Sequence, residues 1–318
     1  MAGIVCHMLL GERILKEPSF GGKFPWLDRE AFLWGCQGPD ILFFHRRMPW
    51  QTGSLRRFGG MLHAGDPTAL LMSLAKICRY CRTRENYHQV ASYALGFCCH
   101  YCYDRALHPL VYYNCALLEK TDERGERFAY HAETETNLDI MLLRHETGRL
   151  MSEFHLTECL PECAGLSESV SLFFSLLLCD LYGIHTPRSD AASLTSDFRA
   201  WAAVLDDAHA VKKPLVSAVE HLLPLVRPAF KHGTFSGQIH GKTADFSFDY
   251  GNLLGNVWFN PADRAERSRL DFYGLTDLAQ RDTLLLTDLF AEEVTQKGSV
   301  DFALFTKGLN FSGAKYGE

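Results

Sequence analysis

The chain has 318 residues, 47% of them hydrophobic and 22% charged, with a formal net charge of −6. That composition suits a globular protein with a sizeable core, and the acidic balance excludes a general binder of long nucleic acid, which is usually basic. Eleven cysteines, an odd number, exclude a complete disulfide framework.

Helical periodicity dominates from the first residues onward. It predicts helices over Ile4–Lys16, Asp28–Gly35, Asp66–Thr83, Glu85–Leu107, Pro109–Leu118, Arg124–Leu150, Leu166–Gly183, Thr195–Asp206, Lys212–Phe230 and Phe272–Thr295. Asp66-Pro67 places a capping carboxylate before a proline at the first helical position. Pro18–Pro25 and Met48–Gly60 read as loops by their proline and glycine content. His108 precedes Pro109, so the helix before it is expected to end there, freeing that imidazole to turn away. Gln238–Phe248 alternates weakly, as a short hairpin or an irregular loop would. The longest apolar run, Val170 to Tyr182, is broken by Ser171, Ser175 and Asp180, and is too short to span a bilayer. Met1 to Leu10 lacks a basic leader and cleavage motif, so the expectation is a cytoplasmic protein with reduced thiols. No repeat or linker divides the sequence. The reading is one all-α, multi-helix domain over residues 1–318.

The chemistry concentrates in residues 1–150. His100, Asp104 and His108 recur at i, i+4 and i+8, which stacks them along one helix face. His131 and Glu135 repeat the pairing on a second helix. A solvated face would set Lys or Arg against carboxylates, whereas here His takes that place within aromatic and apolar sequence. His7, Asp40 and His63 are further candidates. Any one of these histidines alone reads best as a hydrogen-bonded core residue; two helical His/carboxylate pairs within forty residues read as metal ligands, because zinc takes imidazole nitrogen and carboxylate oxygen together. Cys78-Arg-Tyr-Cys81 and Cys99-His-Tyr-Cys102 match a paired CxxC spacing. They lie inside helical runs without turn glycines beside the thiols and read as packing.

The ordered series His7, Gly38-Pro-Asp40, His63, Gly96-Phe-Cys-Cys-His100-x-x-x-Asp104, His108-Pro109 and His131-x-x-x-Glu135 resembles the zinc-dependent phospholipase C family. That family is related to the P1-type nucleases. The likeness covers roughly residues 4 to 150, and more faintly Asn256-Val-Trp258-Phe-Asn260-Pro261. It implies an all-α fold of the phospholipase C and P1 nuclease type, with two or three zinc ions and phosphoester hydrolysis by activated water. Carried over, His63, His100 and Asp104 hold one zinc, and His108, His131 and Glu135 a second. His7 with bridging Asp104 would hold a third. Asp40 either ligates the first zinc or acts as the general base. The implied substrate is a small phosphoester or a phospholipid. A nucleotide phosphodiesterase or phosphomonoesterase and a non-catalytic, zinc-stabilised binding protein are the alternatives.

The chain departs from the family in the tighter spacing of Asp104 and His108. It also has no tryptophan before His7, where secreted members carry a ligating one. Weaker candidates surround the ligands. His45, Arg46 and Arg47 sit where a substrate phosphate could be met, although a solvated loop is the simpler reading. Asp139 could support His131 or His63 through a hydrogen bond. Trp34, Phe43, Phe44 and Trp50 could receive an apolar leaving group, although such residues are more often core.

Overall fold

Helix α1 (Ile4–Leu15) opens the chain and α2 (Pro18–Lys23) follows at once. Proline and glycine made the second segment look like a loop. Pro18 instead takes the N-terminal position where its missing N–H costs nothing, and buried Phe20 packs on Phe24 and Phe32. Helix α3 (Arg29–Gly35) leads into a 3₁₀ turn over Gly38–Phe44. Asp28 caps α3 through the Ala31 amide at 2.9 Å. Then come α4 (Arg56–Ala64), α5 (Pro67–Cys81), α6 (Tyr87–Thr121), α7 (Ala129–Thr147), α8 (Leu166–Tyr182), α9 (Arg188–Ala191), α10 (Leu194–Leu205), α11 (Lys212–Leu222), α12 (Phe272–Thr295) and α13 (Phe302–Thr306). This computed structural model describes residues 3–48, 50–121, 129–222 and 235–317. The fold is all-α, as predicted. The first residues of the helix expected over Arg124–Leu150 and the last of that over Lys212–Phe230 lie outside the described residues.

Two further elements correct the sequence reading. Helix α4 forms where part of a loop was expected, because Gly59 is a packing residue there and not a breaker. A β-carbon on Gly59 would lie 2.9 Å from the Phe43 ring. Helix α6 does not end at His108 but carries Pro109 in its interior. The proline removes one rung of the ladder. Leu107, Leu110 and Val111 are all buried around it, and that packing outweighs the local bias against helix.

The small antiparallel hairpin also lies elsewhere. Gln238–Phe248 takes the second of its two expected forms, an irregular loop, entered from a short 3₁₀ turn over Ser236–Gln238. The strands are β1 (Trp258–Asn260) and β2 (Asp263–Ser268), with Phe259 opposite Arg267. Asn260 makes the turn by accepting from the Ala262 amide at 3.0 Å. Residues 263–267 of β2 are exposed on both faces, so the strand carries no apolar alternation to read.

The chain divides into two compact units; four of the five boundaries fall inside helices α1, α6, α10 and α12, and the fifth follows Cys159. One comprises Met1–Leu9, Leu107–Cys159 and Ala202–Thr276; the other Leu10–Ala106, Leu160–Trp201 and Asp277–Glu318. The second is built around Phe32, Trp34, Tyr93, Phe97, Phe173 and Phe174, all nearly inaccessible. Within it α3 and α6 approach backbone to backbone. A β-carbon on Gly96 would fall 2.1 Å from the Phe32 carbonyl oxygen, and one on Gly35 2.2 Å from that of Tyr93. The first unit is organised by α7, whose Leu138, Met141 and Leu142 are buried. Among the described residues no helix is long and apolar enough to cross a membrane.

Candidate metal centre

Within the second unit, Asp40, His63 and His100 offer ligand atoms that all lie within 4.8 Å of one another. The 3₁₀ turn supplies Asp40, α4 supplies His63 and α6 supplies His100 and Asp104. His63 Nε2 stands 3.2 Å from Asp40 Oδ1 and 3.4 Å from Asp104 Oδ2, and His100 Nε2 stands 3.1 Å from Asp104 Oδ2. The second nitrogens are held by backbone, that of His100 through the close approach of α3 to α6 and that of His63 within α4 itself. His100 Nδ1 lies 3.0 Å from the Cys36 carbonyl oxygen, and His63 Nδ1 lies 2.8 Å from that of Gly59. A carbonyl only accepts, so each Nδ1 donates and each Nε2 faces the carboxylates. Gly38 makes room for this. Its φ is +51°, and a β-carbon there would lie 2.4 Å from the His100 ring.

The electrostatics follow from that crowding. Burial alone would push His63 down, but hydrogen bonds to Asp104 and Asp40 outweigh it and raise the imidazole to about 10. Burial alone would raise Asp40, yet the bond from His63 and the field of His100 hold it below its ordinary value. The group therefore requires a cation, whether proton or metal. Zinc bound at about 2.0–2.1 Å by nitrogen and oxygen would separate tetrahedral ligands by about 3.3 Å. The distances of 3.1–3.4 Å fit that spacing, and backbone acceptors on the far nitrogens are what oriented metal-binding imidazoles need.

Within the first unit, His108, His131 and Glu135 form another group with ligand atoms inside 4.8 Å. Glu135 Oε1 is 3.4 Å from His108 Nε2 and 3.2 Å from His131 Nε2. His108 reaches it while still in the helix, so no helix end is needed to turn the ring. The Tyr112 ring packs on both imidazoles, 5.5 and 5.2 Å away between centroids. Burial opposes ionisation of Glu135, but His131 and the hydrogen bond from His108 hold its carboxyl well below the usual range. Burial pushes His131 down, toward the neutral form that binds metal. His7 is buried on α1, in the first unit.

Other expectations are redirected. Asp139 serves neither His131 nor His63. Fully buried, it accepts from the Cys6 amide at 2.8 Å, the Val5 amide at 3.3 Å and His240 Nε2 at 2.7 Å, and so ties down the first turn of α1. Trp34 donates to the Pro161 carbonyl at 2.8 Å, and with Phe44 it packs on Phe198 in the core. Only Phe43 meets a candidate ligand, with its ring 5.4 Å from that of His63. Phe311 was not foreseen. Its buried ring lies 5.0 Å from His63 and 5.7 Å from His100. It lies more than 200 positions along the chain, and its residue type carries no metal signal.

His45 is not in a solvated loop. It is 0% exposed, accepts from the Leu55 amide at 3.0 Å through Nδ1, and so fixes the entry to α4. Burial depresses its basicity. The unfolded chain therefore takes up a proton more readily, and this contribution to stability is intact above about pH 6.5 and lost as pH falls through the depressed folded value. Unfolding free energies measured by urea titration between pH 7 and 5 should fall more steeply for the native chain than for His45→Asn. The difference is at most about 1.4 kcal/mol per pH unit. Equal slopes would show that His45 stays neutral for another reason.

None of the eleven cysteines is in a disulfide, and among the described residues none joins a candidate metal group. Burial pushes the thiols of Cys36, Cys78, Cys98 and Cys102 upward, away from the thiolate that binds metal. Replacing Cys99 and Cys102 together by alanine should leave zinc content by elemental analysis unchanged. Loss of one equivalent would reinstate the CxxC pairs as ligands.

The family model of zinc-dependent phospholipase C matches residues 6–173. No curated protein sequence and no solved structure matches the chain.

Proposed function

From the premise that this chain belongs to the zinc-dependent phospholipase C family, we propose that it cleaves phospholipid on the glycerol side of phosphorus. The family supports the coarser reading, a zinc-dependent phosphoester hydrolase. The observation that carries it is the pair of compact groups, each of three His or carboxylate side chains with ligand atoms within 4.8 Å. His63, His100 and Asp104, with Asp40, would hold one zinc, and His108, His131 and Glu135 a second. A third, held by His7 and Asp104, is what the family resemblance implies. When bound, zinc supplies Lewis acidity: it lowers the pKa of water toward about 7 and offsets charge on the phosphoryl oxygens.

The chain's own residues do the rest. Gly59 and Cys36 carbonyls keep the Nδ1 protons of His63 and His100 in place, so both rings present Nε2 without reorganisation. Asp104 balances both imidazoles at once. Of the two roles open to Asp40, its 3.2 Å distance from His63 Nε2 favours ligation over proton abstraction. Phe43 and Phe311 pack on the His63 ring and limit its rotation.

The test is direct. Zinc-loaded protein is analysed for metal and incubated in parallel with phosphatidylcholine, p-nitrophenylphosphorylcholine, single-stranded DNA and a nucleoside monophosphate. At least two zinc ions per chain and release of diacylglycerol with phosphocholine are expected. Turnover of DNA or nucleotide alone would move the activity to the nuclease-like branch. Full zinc occupancy with no turnover would make the protein a metal-stabilised binder.

A further inference from the structure

Trp50 is 76% exposed, among the most exposed of the large apolar side chains. Its ring faces solvent, unlike the buried Trp34 and Phe44. It belongs to the connection between the two elements that carry Asp40 and His63, the 3₁₀ turn and α4. From Ile41 to Gly65 this chain of net charge −6 has no carboxylate and four arginines: Arg46, Arg47, Arg56 and Arg57.

The connection is held at its base. The Ser54 hydroxyl donates to the His45 carbonyl at 2.7 Å, the Leu55 amide to His45 Nδ1 at 3.0 Å, and Arg46 to the Thr52 carbonyl at 3.2 Å. At its tip the Gln51 amide bonds the Met48 carbonyl at 2.9 Å, and the Met48 amide bonds Gln51 Oε1 at 3.0 Å. Trp50 is thus presented on a stapled loop.

The arginines are unevenly matched. Arg46 has Asp190 at 3.6 Å, and its amide bonds Asp197. Arg47 lies over the Phe44 and Trp201 rings. Arg56 and Arg57 are exposed in the first turn of α4, which contains no acidic residue and has no side-chain cap. Among the described residues no carboxylate forms an ion pair with Arg47, Arg56 or Arg57. Two cations at the positive end of a helix dipole oppose folding. The like charges of Arg47 and Arg56 also oppose each other, and this lowers the basicity of an Arg47 already reduced by burial. Arg57 lies over the Phe58 ring, so aromatic faces support two of these cations, but none of the three meets a carboxylate among the described residues, and that excess positive charge suits an anionic partner.

We propose that Trp50, Arg56 and Arg57, with Arg47 adding to the positive charge, form a docking surface for an anionic lipid bilayer. An indole settles at the boundary between headgroups and acyl chains, and arginines beside it meet the negative surface potential. The proposal rests on the phospholipid reading above and adds where the membrane is met: on the loop leading from Asp40 to the helix of His63.

The test uses the zinc-loaded full chain and sedimentation with two vesicle preparations, pure phosphatidylcholine and phosphatidylcholine containing phosphatidylserine. Tighter binding to the serine-containing vesicles, weakened by salt, is expected. Arg56→Gln with Arg57→Gln should weaken that binding about 25-fold, at about fivefold per arginine. Trp50→Ala should weaken binding to both preparations about tenfold. Hydrolysis of soluble p-nitrophenylphosphorylcholine and zinc content should be unchanged in all variants, which separates a docking defect from a damaged centre. Equal binding by variants and native chain, equal binding to the two vesicle types, or no vesicle binding at all would overturn the proposal. So would single-stranded RNA bound more tightly than the anionic vesicles and lost through the same substitutions. Because sedimentation needs no turnover, a protein inactive on every phosphoester but binding as described would overturn the hydrolase reading and leave the docking surface standing.

Discussion

Replacing Asp104 by alanine should weaken zinc binding by at least about a hundredfold and lower phosphoester turnover by a comparable factor. Asp104 Oδ2 lies within 3.4 Å of His63 Nε2 and 3.1 Å of His100 Nε2, so one carboxylate serves both imidazoles. Removing a partner that only orients a ligand typically costs about tenfold to a hundredfold. A carboxylate that offsets the charge of the ion itself should cost no less. Asp104→Asn keeps the shape and removes the charge, so it separates electrostatics from packing. Zinc affinity by chelator competition and turnover of p-nitrophenylphosphorylcholine are the measurements. Full metal content and full activity in the alanine variant would remove Asp104 from the centre.

Gly38→Ala should damage the centre most among changes at residues that touch a ligand without being one. Gly38 has a φ of +51°, where a residue with a β-carbon is strained by about 1–2 kcal/mol. The new methyl would also lie 2.4 Å from the ring of His100, a buried side chain whose Nδ1 is already committed. Forcing atoms into a packed site costs about 1–3 kcal/mol more. A total near 3 kcal/mol should appear as a lower thermal midpoint, together with reduced zinc affinity as the ring is displaced. Gly60→Ala is the comparison, because nothing lies within 4 Å of its β-carbon position and alanine favours helix. If both variants melt alike and bind zinc alike, the close approach at Gly38 does not position His100.

The helical fold and the two His/carboxylate pairs were legible because they depend on one-dimensional spacing. His100 and Asp104, or His131 and Glu135, meet wherever a helix forms. What was hidden depends on three dimensions. Pro109 looked like a helix end because its effect on His108 is local, whereas the packing that overrides it involves the whole helix. Gly59 and Gly60 looked like breakers, since nothing local announces that Phe43 needs the space. Asp139 stood one turn beyond Glu135 and invited a role near metal, but its partners are backbone amides more than 130 residues away. His45 could be assigned to solvent or core only once Leu55 was seen to donate to it. Trp50 read like its aromatic neighbours Trp34 and Phe44, and only exposure separates them.

The acceptors that orient His63 and His100 are peptide carbonyls, those of Gly59 and Cys36. Every amino acid carries such a group, so no substitution at residue 36 deletes it, and residue 59 is constrained by the Phe43 ring rather than by its own chemistry. In lineages descended from this chain, the imidazoles would keep their tautomers while the residues beneath them drift. A descendant that lost Asp40 or Asp104 would still inherit two aimed nitrogens. Regaining a metal, or acquiring a different one, would then need a single new carboxylate and no rebuilding of the scaffold.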